Sequence, residues 1–210
     1  MPTPSEILAS LSRIANDAIW LAVFWHLVIA AVAVAIVVGY RPSRRLAALL
    51  LAAPLASVSI AAWLFGNLFN GAVFALAVLL LSVLAINGSR AAVASDARWT
   101  AVLGVCLIAF GWVYPHFLVG YSPLAYLVAA PLGTLPCPTL ALVTGATLVG
   151  GGLVGGAWRI ALAVLAAFYS LFGLFRLGVV IDAFLLLGAV GLLFQHLLAT
   201  RHGAPISSAS

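Results

Sequence analysis

The chain has 210 residues, of which 66% are hydrophobic and 6% charged, too few charges to cover a soluble globule, which draws on roughly 25% charged residues. The formal charge of +5 comes from nine arginines against Glu6, Asp17, Asp96 and Asp182, with no lysine anywhere, and its only basic cluster, Arg41, Arg44 and Arg45, sits between two apolar runs as in a cytoplasmic loop rather than on a spread nucleic-acid footprint. A soluble enzyme, a nucleic-acid binder and a disordered chain are excluded, and an integral membrane protein remains.

At the N-terminus, Thr3-Pro4-Ser5-Glu6 has the form of a capping box with proline at the first helical position. Ile7, Leu8, Leu11 and Ile14 then share one face, which predicts a short amphipathic helix over 3–15 on the membrane surface. The segment lacks a basic stretch ahead of the first apolar run near Ile19, so it reads as this helix and not as a cleaved signal. Apolar stretches long enough to cross a bilayer follow at 17–39, 46–65, 71–87, 99–118, 137–156, 158–176 and 179–199. Backbone groups in lipid bond within their own segment, so these are helices, and the alternating ten-residue segments of a barrel are absent. The expected fold is all-α: segment 1–16, one seven-helix membrane domain over 17–200, and a disordered tail over 201–210.

Orientation follows from arginine. With the N-terminus outside and the C-terminus cytoplasmic, Arg41, Arg44, Arg45, Arg90, Arg98, Arg159 and Arg201 lie inside, and Arg13 and Arg176 outside. This places the protein in a bacterial inner membrane. Pro54 predicts a kink in the second span, and Trp20 and Trp25 read as interface aromatics. In the fifth span, Gly151 with Gly155 and Gly152 with Gly156 have GxxxG spacing, which suits packing within the bundle, a homo-oligomer or another membrane subunit. The uncharged loop 119–136 is expected to fold back as a lid.

Seven spans suggest a retinal protein, but covalent retinal needs a lysine amine for its Schiff base, and none exists here. No His-Glu-x-x-His, Gly-x-Ser-x-Gly or P-loop motif occurs. The remaining polar chemistry gathers in the predicted outer half: His26 in span one, Tyr114 and His116 at the end of span four, Cys137 and Thr139 opening span five, and Asp182 opening span seven. Polar groups at membrane depth usually face the bundle interior and are candidate ligand-binding residues. Pro138 fits a first helical position, which puts Cys137 at or near the N-cap, where the helix dipole favours a thiolate. A thiolate with imidazoles nearby suits a soft metal ion, with Cys137, His116 and His26 as ligands and Asp182 supplying charge or a proton. The plainer alternatives are a buried filler thiol, a hydrogen-bonded interior His26 and a solvated His116. Cys106 reads as a packed small side chain.

Asn16-Asp17-Ala18-Ile19-Trp20, Tyr114-Pro115, Pro136-Cys137-Pro138-Thr139 and the late Asp182, in this order, resemble an uncharacterised prokaryotic multi-pass membrane family, a domain of unknown function, over roughly residues 16–190. The resemblance implies a compact helical bundle of this size and supplies no activity or cofactor. A Tyr-His pair of that family's second helix is missing, the sequence there being Trp63-Leu64-Phe65-Gly66-Asn67, and a histidine stands at His26 instead.

Binding or transport of a metal ion or small solute is the expected function. The alternatives are a redox protein holding haem or quinone, with His26 and His116 as axial ligands, and a non-catalytic subunit of a larger membrane complex. With no nucleophile–base pair in view, an enzyme is the weaker expectation.

Overall fold

A computed structural model describes residues 3–93 and 98–202, and of Arg98 and His202 the backbone alone. Of the expected disordered tail 201–210, Arg201 and His202 belong to the last helix, and 203–210 lie outside the described residues.

Helix α1, Pro4–Asp17, starts as its sequence dictates. Thr3 Oγ1 accepts from the Glu6 N–H at 3.3 Å and the Glu6 carboxylate accepts from the Thr3 N–H at 2.7 Å. The Thr3 N–H and the Thr3 hydroxyl, both donating to the Glu6 carboxylate, hold its carboxyl below its usual range. Leu11, Ile14 and Ala15, spaced for one face, are buried against Ala61, Leu135 and Phe117. Side chains clamp the helix further: Arg13 donates to Phe65 O at 3.0 Å, and Ser12 and Asn16 donate to Phe117 O at 3.0 and 2.8 Å. The amphipathic helix thus lies across the ends of other helices, and its apolar face meets protein.

Five helical runs are long and apolar enough to cross a membrane. They are α2 (Ile19–Val37), α3 (Arg44–Leu64), α4 (Leu68–Ile86), the run Gly156–Leu177, and the run Val180–Arg201. The fourth consists of α8 (Gly156–Leu171) and a π-helical turn, Phe172–Leu177, and the fifth of a 3-10 turn, Val180–Asp182, leading into α9 (Ala183–His202). Two shorter apolar helices, α5 (Arg98–Val113) and α7 (Pro136–Val149), complete the bundle, with a single helical turn, α6 (Tyr126–Ala129), between them. A helix therefore falls on each of the seven predicted stretches, and the described residues contain no strand. Pro54 is buried inside α3, as its position implies.

The core forms around α7. No residue of this helix is exposed, and Leu140, Val143 and Leu148 pack with Leu107 of α5, Leu162 of α8 and Leu185 of α9. Close approach of α5 rests on glycine: a Cβ at Gly104 would sit 2.5 Å from Gly145 O, and one at Gly111 would sit 2.6 Å from Pro138 O. At 1.5 Å per residue, α7 is about 21 Å long, short of a hydrocarbon core of about 30 Å. Buried irregular chain extends it, since residues 129–135 ahead of it are all buried. Non-helical backbone at such depth is tolerated where protein encloses it.

The structure corrects several sequence expectations. The fourth span, expected to reach residue 118, ends at Val113, because Pro115 has no N–H to donate and Phe117 turns to a φ of 78°. The fifth, expected to reach 156, ends at Val149. Gly151, Gly152, Leu153 and Gly155 all have positive φ, so the GxxxG pairs form a loop and offer no helix face for a homo-oligomer. Helix α7 begins at Pro136 with Leu135 as N-cap, one residue before the predicted stretch and two before Pro138, the expected first helical position. Prolines at the first and third positions cost nothing there, because N–H groups of a first turn have no intrahelical partner. Trp20 is 80% exposed, but Trp25 is buried, donating to Ser57 Oγ at 2.9 Å. The segment expected as a lid packs on α2 and α5, where Trp112 Nε1 donates to Leu127 O at 2.8 Å.

The two ends of the bundle differ. One gathers α1, the α3–α4 turn at 65–67, the segment 114–135 and the α8–α9 junction. The other gathers 38–43, 87–93 and the glycine loop, tied by Val93 N–H to Pro42 O, Arg44 N–H to Ala91 O, and Arg44 Nη1 to Leu153 O.

Candidate functional site

The α8–α9 junction puts a carboxylate in the interior. Helix α8 loosens into the π-turn, Gly178 takes the left-handed conformation at φ 70°, and the chain reverses within the next few residues. Val179 N–H bonds Gly173 O at 2.9 Å, and Ser170 Oγ donates to Asp182 O at 2.6 Å, which together fix Asp182 directly ahead of α9. Its side chain is 2% exposed. It packs on Gly173, where an added Cβ would overlap Oδ2 and displace the carboxylate.

Two donors reach this carboxylate from other helices. Tyr114, fully buried just past α5, donates its hydroxyl to Oδ1 at 2.7 Å. Cys137, in the first turn of α7, donates its thiol to Oδ2 at 3.2 Å. Three of the predicted candidates, Tyr114, Cys137 and Asp182, thus meet. The sulfur carries a proton in this bond, which replaces the thiolate expected from the helix dipole.

Beside the trio is a cavity of about 650 Å³ between α1, the α3–α4 turn, the first turn of α7 and the end of α8. Cys137 and Asp182 line it, with Asn70, whose Oδ1 accepts from Tyr169 Oη at 2.9 Å. Glu6, Ser10, Asn67 and Arg176 add polar groups, and the remaining walls are apolar. Helix α1 borders this cavity and takes the covering place expected of 119–136. Sequence reasoning missed Asn70 and Tyr169: Asn70 follows the N-cap Asn67 in the first turn of α4, and its bond to Tyr169 joins helices far apart in the chain.

Comparison with known protein families, curated proteins and solved structures finds no match to this chain.

The other candidates lie apart. His26 is buried, with Nδ1 2.8 Å from Ala22 O and Nε2 2.9 Å from Trp112 O, and its ring meets the Trp112 ring edge-on. Both nitrogens point at carbonyl oxygens, which leaves neither aimed at a metal or haem iron. Its bond to Trp112 O serves one of the last α5 carbonyls, which lacks an intrahelical partner. His116 is half-buried against Phe117, ring centroids 4.3 Å apart. Thr139 accepts from Gly133 N–H at 2.8 Å and donates to Leu135 O at 2.7 Å, pinning the turn ahead of α7. Among the described residues, no three of His, Cys, Asp and Glu group closely enough to hold a metal ion. The expected ligand set of Cys137, His116 and His26 is therefore not assembled: α2 turns His26 to Trp112, His116 lies on the irregular chain past α5, and the partner of Cys137 is Asp182.

This arrangement assigns His26 a tying role between α2 and α5. His26→Leu is expected to cost about 1–3 kcal/mol, the range for a buried acceptor left unsatisfied, read as a lower thermal-unfolding midpoint in detergent. His26→Gln, which keeps a donor, recovers part of the loss. An unchanged midpoint for the leucine variant removes the tie.

Proposed function

We propose that this chain is a multi-pass protein of the cytoplasmic membrane whose seven helices all cross, N-terminus outside and C-terminus inside, and that it takes a small solute into the α1-covered cavity. The arginine distribution supports the orientation, and the buried chain flanking α7 supports a crossing by that short helix. The resemblance to an uncharacterised prokaryotic multi-pass family remains part of this reading, on the Pro-Cys-Pro-Thr residues.

One observation carries the functional reading: Tyr114, Cys137 and Asp182 meet from three separate parts of the chain, and Cys137 and Asp182 line a cavity of about 650 Å³. Ionisable groups held at depth mark solute pathways, and pockets of roughly 300–1,000 Å³ hold small organic molecules. The π-turn and the break after α8 adjoin the same carboxylate, and discontinuous helices of this kind line solute sites in transporters. Of the two expected solute classes, a small organic solute suits this site better than a metal ion, because Cys137 and Asp182 lack a third ligand of the usual types.

The reading is tested on Cys137 in a Cys106→Ser background. In intact cells, a membrane-impermeant methanethiosulfonate reagent is expected to label Cys137 from outside, and Ser10→Trp, which fills the cavity, to slow labelling severalfold. Labelling from inside alone, or none, removes the proposed solute path.

A further inference from the structure

At the cavity wall, the Asp182 carboxylate accepts from neutral donors alone. Tyr114 and Cys137 both spend their donors on Asp182, Tyr169 spends its hydroxyl proton on Asn70 Oδ1, and Asn67 Oδ1 accepts from Asn70 N–H. Spare acceptors remain on the Asp182 carboxylate, the Asn70 carbonyl and the Tyr169 oxygen, beside spare donors on the Asn67 and Asn70 amides and the Ser10 hydroxyl, and among these groups the Asp182 carboxylate, met by neutral donors alone, is the one that calls for a cation. Formal charge leans the same way, because two carboxylates, Glu6 and Asp182, and one guanidinium, Arg176, line the cavity and leave one net negative charge. Around these groups stand the rings of Phe69, Phe117 and Phe172, which suit an apolar body and offer faces to a cation.

Resting on the solute-cavity reading above, we infer that the solute is an amphiphilic amine, its ammonium directed to Asp182 and Asn70 and its apolar body held among the phenylalanines. An ammonium brings a positive charge and N–H donors, matching the Asp182 carboxylate and the net charge of the wall. A carboxylate meets Asp182 with like charge in a poorly hydrated site, and an alcohol supplies one donor with no charge.

Three probes of similar shape separate these cases: 2-phenylethylamine, 2-phenylethanol and 3-phenylpropanoate. Two readouts are followed on the purified full chain in nanodiscs, the thermal-unfolding midpoint and the rate at which N-ethylmaleimide alkylates Cys137 in the Cys106→Ser background. The amine is expected to raise the midpoint and slow alkylation saturably, with Asp182→Asn weakening its affinity about tenfold, as for a lost charge-assisted hydrogen bond. Equal action by all three probes, or preference for the alcohol or the carboxylate, overturns the amine and leaves a solute cavity standing. Inaction of every probe while the impermeant reagent still reaches Cys137 also overturns the amine alone. Inaction together with an unreachable Cys137 overturns both. The three-probe comparison on the chain with Asp182 intact decides the matter even where Asp182→Asn does not fold.

Discussion

Asp182→Ala is expected to lower the stability of the folded protein by about 2–4 kcal/mol, because it strands two buried donors at once. The Tyr114 hydroxyl, fully buried, has no other acceptor within its recorded bonds, and the Cys137 thiol loses its partner as well. Asp182→Asn keeps an amide oxygen for one of them and costs less. Tyr114→Phe removes a bond to a charged group, in the range of about 1.5–3 kcal/mol. The double variant Tyr114→Phe/Asp182→Ala then costs less than the sum of the two, since the phenylalanine leaves no orphaned hydroxyl. Reversible unfolding in mixed micelles measures all four chains. Strict additivity shows that the Tyr114–Asp182 bond contributes nothing, and a stable Asp182→Ala protein shows that the interior does not depend on the carboxylate.

Gly145→Val is expected to cost about 3 kcal/mol or more, at the upper end for overpacking. A Cβ at Gly145 would overlap Gly104 O and stand 2.9 Å from the Ile108 nitrogen, so it meets backbone that no rotamer change relieves. The branched valine adds two further atoms at the seam between α5 and α7. Leu187→Ala on α9, at a position 53% exposed, is the control and is expected to be near neutral. Size-exclusion profiles with the thermal midpoint distinguish the cases: a monodisperse, undiminished Gly145→Val protein means that the two helices do not pack through glycine.

The helices were legible because each is a long run of apolar residues, and α1 because its capping box and its apolar spacing agree. Side-chain direction was not. Helix α2 is apolar nearly all round, so nothing in its sequence tells which way His26 points; depth along the chain placed it near Cys137, and rotation about the axis sent it to Trp112. The glycine run shows the same limit. Spacing alone reads Gly151 and Gly155 as a packing pair, yet so many glycines together favour the left-handed turn they form, and the close helix contact uses the isolated Gly104 and Gly145 instead. Within the site, Cys137 and Asp182 stood out because prolines or apolar runs frame them, whereas Asn70 and Tyr169 gain meaning only from a contact between α4 and α8.

The complete enclosure of α7 bears on how the protein is made. A helix with no exposed residue, which opens with two prolines and carries Thr139, Thr144 and Thr147 buried, is held in the bundle by its protein neighbours. Its retention depends on α5, synthesised before it, and on α8 and α9, synthesised after it. Packing of this segment is therefore a cooperative, late event: the ribosome has passed α9 before the central helix has all its neighbours.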